Sequence, residues 1–344
     1  MALTEDFEWY ADWARDVSPL YERLARKTAE DPSILDIASE ASEYQPPPQL
    51  LLGAVHMLLL DGYDHPLRDF YPTCTEDPRD GDPFPQFRDF CLVHEERIRE
   101  IVASRRVQTN EIGRSAVLFP SFEYVARSVD HTPLALIEVG ASAGLNLYWD
   151  RYRYKYEGYG VYGNLDSSAQ IKSAVRGDCD PPLSERTSDV NHRVGVDLNP
   201  LDVTDTDDAH WLQALVIPDQ NRRHERLAAA IDEVRDDPPD LVTGDVLHVL
   251  PNLFADIPED TSLCVFSTHT LYQLDEESVT KLRDLLAEFS TGRPVHWLSG
   301  DPFSELDHPS YRYVALSDGT AEERQLAEYE SYGEWIRWLV DDRK

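Results

Sequence analysis

The chain reads as an α/β protein with a doubly wound, mainly parallel sheet, preceded by a helical N-terminal domain and interrupted by an antiparallel hairpin insert. Three observations predict this. From Leu134 onward, short apolar runs alternate with amphipathic stretches of helical spacing, the pattern of a parallel sheet covered by helices. Before Leu134 no run alternates with period two, whereas helical spacing recurs. At the junction, Leu134 to Val139 is an apolar run broken only by Glu138. It leads into Gly140-Ala-Ser-Ala-Gly144 and a second apolar stretch, a strand turning into a helix N-terminus. We therefore expect a helical cap domain over 1–130 and a sheet domain over 131–344, with the insert around 151–190.

Taken in order, Phe7, Trp9, Tyr10, Trp13 and Val17 fall at helical spacing, and Ser18-Pro19 restarts a helix through Leu24. Gln45-Pro-Pro-Pro48 reads as a stop, Gln49 to Leu60 as a buried helix, Tyr71 to Pro85 as a loop, and Phe87 to Ser104 as one helix. Ser115 to Val125 is an apolar helix. The aromatic and basic run Tyr148 to Tyr162 reads as a strand, paired with Ile171 to Val175 as a hairpin. Strands come next at Arg193–Val196, Leu241–Val242, Leu263–Ser267 and Val295–Leu298, with helices at 208–216, 222–234, 246–254 and 278–289 between them. Tyr311–Leu316 and Arg324–Tyr329 close the chain as an antiparallel pair.

The sequence has 344 residues and a net charge of −33, from 65 acidic against 32 basic residues. Such a surface repels phosphate backbones and anionic lipid, so nucleic acid and membrane surfaces are not expected partners. The acids run along the whole chain, a distribution suited to a high-salt (halophilic) cytoplasm, where dense carboxylates hold hydration. Cys74, Cys91, Cys179 and Cys264 are scattered, as expected of reduced thiols in a cytoplasmic protein. There is no basic n-region at the start, and the apolar run Leu50–Leu60 is too short to span a bilayer.

Ligands of doubly wound sheets bind at the carboxyl ends of the strands. There the sequence sets Glu138 and Gly140, then Asp197, then Asp245, then His269 and Thr270. A glycine turn at a helix start offers free N–H groups, and Gly140 and Gly144 permit close backbone approach. A carboxylate at the second strand end can accept both hydroxyls of a ribose, and one at the third can take an adenine amino group. Each acid by itself also fits a helix cap. Upstream, Gln108-Thr-Asn-Glu-Ile-Gly-Arg114 gathers Asn110, Glu111 and Arg114 just before an apolar helix. They read either as a cap or as a substrate-binding lid over the Gly140 turn.

Acid, strand end and glycine-rich turn together resemble the Rossmann-like S-adenosylmethionine-dependent methyltransferases, over about 134–298. The turn departs from that pattern at Ser142, where a central glycine is usual, and Asp197 lies beyond the usual spacing because the insert intervenes. The resemblance implies S-adenosylmethionine as cofactor and a small-molecule methyl acceptor. Glu138, Gly140, Ser142 and Gly144 would lie at the amino-acid end of the cofactor, Asp197 at the ribose and Asp245 at the adenine. His269 would be the general base, and Asn110, Glu111 and Arg114 would hold the acceptor. Over nearly the whole chain the sequence also resembles an uncharacterised family, domain of unknown function 2332. This resemblance is carried by Gln108–Arg114, Glu138–Leu147, Gly195-Val-Asp-Leu-Asn-Pro-Leu-Asp202 and Trp211-Leu through Gln220, and implies the Rossmann-like fold without an activity.

Other classes compete. Gly140-Ala-Ser-Ala-Gly144 also satisfies Gly-x-Ser-x-Gly, a nucleophile elbow in which Ser142 would act with Asp245 or Asp301 and His308. A non-catalytic nucleotide-binding scaffold is a third class. No metal is expected: Asp202, Asp205, Asp207 and Asp208 miss the calcium-loop spacing, and Asp207 reads as the cap of the helix at Asp208.

Overall fold

The computed structural model describes residues 3–185, 187–301 and 308–341. Helices come first: α1 Leu3–Ala14, α2 Pro19–Thr28, α3 Pro32–Ala38, α4 Pro47–Leu60, α5 Phe84–Val93, α6 Glu95–Ser104 and α7 Ser115–Ser128. Then come β1 Leu134–Val139, a 3-10 segment Leu145–Arg151, β2 Arg153–Glu157, β3 Gly160–Gly163, β4 Gln170–Arg176 and β5 Val190–Asp197. Next are α8 Thr206–Ala214, α9 Asn221–Val234, β6 Asp240–Thr243, α10 Val246–Asp256, β7 Ser262–Thr268 and α11 Glu276–Phe289. The chain closes with β8 Val295–Asp301, β9 Ser310–Ser317, β10 Thr320–Tyr329 and β11 Trp335–Trp338.

The chain divides into two compact units, one of residues 1–109 with 204–228 and one of 110–203 with 229–344. The division comes at Thr109, earlier than the expected boundary near 130, and the segment carrying α8 joins the helical unit. In that unit α4 is the centre, with Leu50 through Leu59 all buried. Its prolines start the helix instead of stopping the chain before it, since Pro47 and Pro48 occupy first-turn positions that need no N–H partner. Gly53 lets the Trp211 indole of α8 lie against α4, its ring atoms 3.2 Å from where a Cβ would stand. The Trp211 Nε1–H donates to the Arg106 carbonyl at 2.8 Å. The single helix expected over 87–104 is broken at His94, whose φ −110° and ψ 24° leave the helical region.

The second unit is α/β, built on one eleven-stranded, mostly parallel sheet in the order β3-β2-β4-β11-β10-β9-β8-β7-β1-β5-β6. The run β8-β7-β1-β5-β6 is parallel throughout. Alternate side chains divide its faces. Ile137, Val265, Trp297 and Val314 share one core with Leu250 and Phe254 of α10 and Leu282 and Leu286 of α11. On the other face α7 packs, with Phe122 edge-on to Phe266 and Tyr124 edge-on to Tyr313. Among the described residues no strand precedes β1. The insert differs from expectation. The antiparallel hairpin is β2–β3, whereas β2 and β4 run parallel, and β4 joins β11, so the insert extends the main sheet.

Candidate functional site

The candidate site is the carboxyl edge of the parallel run, within the sheet unit. β1 ends in a tight turn in which Gly140, Ser142 and Gly144 hold φ 73°, 53° and 71°. The turn passes into the seven-residue 3-10 segment Leu145–Arg151, kinked at Tyr148, and not into the expected α-helix. Four of the turn's five N–H groups, those of Gly140, Ala141, Ser142 and Gly144, are engaged internally. Gly140 and Ala141 donate to the Val196 carbonyl, and Gly144 to that of Ala141. Ser142 donates to Asp197 Oδ2 at 2.8 Å, and Leu145 to Asn110 Oδ1 at 2.8 Å. The expected row of free donors is therefore largely taken up. Main-chain carbonyls take three of these donors, the Asp197 carboxylate takes the place an anion would hold at Ser142, and the Asn110 amide oxygen takes the Leu145 N–H.

The glycines serve the protein's own packing as well. A Cβ on Gly140 would stand 2.3 Å from Thr270 Cγ2, and one on Gly144 would stand 2.6 Å from the Pro239 ring. Both close approaches expected of a cofactor are made by side chains of neighbouring loops. Asn110, Glu111 and Arg114 do meet this edge, yet as buried anchors and not as a lid. Glu111 Oε1 accepts the Gly113 N–H at 2.8 Å, while Arg114 donates to the Ser331 carbonyl at 3.2 Å and the Thr268 carbonyl at 3.4 Å.

Beyond Asp197 the edge opens. Asp197 pairs in register with Thr243, and Gly244 donates to the Asp197 carbonyl at 2.9 Å, so Leu198 and Asp245 lie at adjacent strand ends. Leu198 is 70% exposed, an apolar side chain left in water beside two carboxylates. Asp245 is exposed and caps α10 through Oδ1, which accepts the Leu247 N–H at 2.9 Å. Its second oxygen lies 3.7 Å from His248 Nδ1.

On the other side of β1 the edge is closed and polar. Glu138 is fully buried, and neither carboxyl oxygen has a hydrogen-bond partner of sound geometry. Burial drives its pKa well above the usual carboxylate range, with Asp197 adding to the rise and the Asn146 amide and Arg114 opposing it. Asn146 itself donates to Thr268 Oγ1 at 3.4 Å. Register puts Thr268, Gly300 and Tyr311 in one row across β7, β8 and β9. Gly300 leaves room there for the Tyr311 ring and the Tyr329 hydroxyl, which would be 2.4 Å and 2.6 Å from its Cβ. Both tyrosine hydroxyls are buried without a partner. Sequence reading missed these two residues, because a tyrosine in a strand reads as core until its hydroxyl can be followed.

His269 lies beside this cluster, half-buried, at φ 54°, with its backbone N–H donating to the Gly300 carbonyl at 2.6 Å. Its Nε2 is unpartnered and its ring packs at 5.9 Å from that of Tyr329. Burial, then the Arg114 charge, pushes its pKa down to about 3. The imidazole is thus neutral near pH 7 but a weak base, better suited to orienting a hydrogen-bond partner than to removing a proton outright.

The remaining assignments resolve otherwise. Asp301 accepts the Tyr272 N–H at 3.4 Å, and His308 packs edge-on to Trp335 at 4.8 Å. The cap of α8 is Asp205, which accepts from Asp207 and Asp208, rather than Asp207. Among the described residues no group of three or more His, Cys, Asp or Glu is arranged to hold a metal ion. No described helix is long and apolar enough to cross a membrane.

No curated protein matches this chain. A family model described as an uncharacterized protein conserved in bacteria (DUF2332) matches residues 4–338, and with nearly its whole length covered the chain belongs to that family.

Proposed function

We propose that this chain is a Rossmann-like small-molecule methyltransferase that binds S-adenosylmethionine along the carboxyl edge of β1, β5 and β6. The observation that supports the reading is the strand order β6-β5-β1-β7-β8, in which the order of connection reverses at β1, the position where doubly wound sheets take their ligands. The exposed Leu198–Asp245 corner opens beside it. An adenosine fits that corner: Leu198 is an apolar shelf for a flat base, and Asp245 keeps acceptor capacity for an amino group. The amino-acid end fits the glycine turn less well, because most of the turn's donors already serve Asp197, Asn110 and main-chain carbonyls. Asp197 is in this reading a brace for the turn first and a ribose ligand second.

When bound, the cofactor supplies an electrophilic methyl carbon. The chain's own part is to hold the acceptor in line and dry, which proximity alone makes effective. His269 Nε2 suits a hydrogen bond to the acceptor, and Arg114 fixes the local charge. Titration calorimetry in molar KCl with S-adenosylhomocysteine, NAD and ATP tests the reading. Heat from the first alone, lost at least tenfold in Leu198→Asp with Tm unchanged, is the expected result. Heat from NAD or ATP alone, or from none, overturns it, the last in favour of a scaffold.

One observation favours a second reading, acyl transfer by Ser142: its φ of 53° is strained backbone for a serine, in a Gly-x-Ser-x-Gly turn. Phosphonofluoridate labelling at Ser142 tests it. We also read the charge of −33 as suited to a salt-rich cytoplasm, so that Tm rises between low and molar KCl as self-repulsion is screened.

A further inference from the structure

Five unpartnered polar atoms belong to neighbouring side chains at the carboxyl ends of β1, β7 and β8: both oxygens of Glu138, the hydroxyls of Tyr311 and Tyr329, and Nε2 of His269. Glu138 and Tyr311 are fully buried and Tyr329 almost so. The Tyr311 and Tyr329 rings meet edge-on at 6.1 Å, and His269 packs on Tyr329. Buried polar groups are ordinarily hydrogen-bonded, and several left open in one place mark a position that something else fills. The charges that act on this position are few. Arg114 lies close enough to influence Glu138, His269 and Tyr329 alike. The nearby carboxylates are directed elsewhere, Asp197 to the Ser142 and Asn199 N–H groups and Asp301 to the Tyr272 N–H.

We propose that this cluster is a binding site for a compact carboxylate, held by the Tyr311 and Tyr329 hydroxyls with the Arg114 charge behind them, entering past His269. The donor balance carries the choice of ligand. Burial keeps both phenols protonated and favours the neutral acid of Glu138, so the walls offer O–H donors around one permanent positive charge. A carboxylate answers with two acceptor oxygens and a negative charge, whereas an ammonium or a neutral amide answers with only part of this. The carboxylate could belong to the acceptor or to the amino-acid end of a cofactor. The site stands whichever cofactor binds along β5 and β6.

Titration of the full chain with acetate, acetamide and methylammonium at pH 7 tests the site. Acetate is expected to bind and the other two not. Tyr329→Phe and Tyr311→Phe are each expected to weaken acetate about tenfold or more, as for a hydrogen bond to a charged group. Because each variant removes a hydroxyl with no partner, its Tm is expected not to fall. Acetate affinity equal to that of acetamide, or unchanged in both phenylalanine variants, overturns the proposal. So does a lowered Tm in both, which would mark the hydroxyls as already satisfied. Repeating the acetate titration with saturating S-adenosylhomocysteine separates the sources. Competition assigns the pocket to the cofactor's carboxylate, and simultaneous binding assigns it to the acceptor's.

Discussion

The Asp197 carboxylate receives the Ser142 N–H on one oxygen and the Asn199 N–H on the other, each at 2.8 Å. One side chain thereby ties the turn after β1 to the loop after β5, and the Leu201 N–H adds a third tie to the Ser142 carbonyl at 3.1 Å. Asp197→Ala removes both charge-assisted bonds and leaves two N–H groups open, an expected loss of about 2–3 kcal/mol in denaturant unfolding. Asp197→Asn keeps one acceptor oxygen and is expected to lose about half as much. A loss below ~0.5 kcal/mol in the alanine variant would mean the turn holds its shape without this brace.

Gly140 faces Thr270 across a gap with no room for a methyl group. Gly140→Ala has two faults, a left-handed φ of 73° and a Cβ 2.3 Å from Thr270 Cγ2. Together they are expected to cost about 3 kcal/mol or more. Thr270→Gly in the same chain removes the collision and leaves the backbone fault, so the double variant should recover only part of the loss. Full recovery would show that φ at position 140 is not strained for alanine.

These two pairs also mark where sequence reading stops. Strands β1, β5, β6, β7 and β8 and the hairpin β9–β10 were legible because apolar runs and turn residues bound them. The acids at strand ends were legible for the same reason. Their partners were not: Asp197 bonds a turn 55 residues away, and nothing in local spacing distinguishes that from a solvent-facing carboxylate. Gly140 and Gly144 announced a close approach, but Thr270 and Pro239 as the groups approaching are set by tertiary packing. Tyr311 and Tyr329 fit a strand pattern so well that their open hydroxyls left no trace in it. The parallel pairing of β2 with β4 was hidden because adjacent strands in sequence favour a hairpin by default.

Glu138 should reduce stability near neutral pH. Its folded pKa is raised above the unfolded value, so its favourable share is fully present below about pH 4.5 and is lost as pH rises through the folded pKa. Unfolding free energy of the parent is therefore expected to decline relative to Glu138→Gln as pH increases from about 4 toward 8. Glu138→Met is expected to be more stable than the parent at pH 7 by roughly 1–3 kcal/mol, since it removes a buried carboxyl with no partner. Parallel curves for parent and Glu138→Gln would mean that this carboxyl keeps its unfolded pKa in the native state. A more stable variant that no longer binds acetate would identify Glu138 as a group kept for its site.

The helical unit carries the opposite pH signature. His56 is buried with Nδ1 3.0 Å from the Ala214 carbonyl and Nε2 2.8 Å from Thr73 Oγ1, and the His224 ring lies edge-on to it at 5.3 Å. The carbonyl requires Nδ1–H, so Nε2 accepts from the threonine and the ring is neutral. Burial, then the neighbouring His224, lowers the His56 pKa to about 3, and burial lowers that of His224 to about 4. Folded values depressed below the unfolded 6.5 mean stability that is whole above pH 6.5 and is lost as pH falls from there through the folded values. Nearby Asp219, whose pKa burial raises, works in the other direction below its own folded value. His56→Gln can still donate to Ala214 and accept from Thr73 without titrating. It is expected to flatten the acid limb by up to about 1.4 kcal/mol per pH unit between pH 6 and 4. Denaturant unfolding followed by far-ultraviolet circular dichroism at several pH values reads that slope directly, and an unchanged slope would place a proton on His56 in the native state.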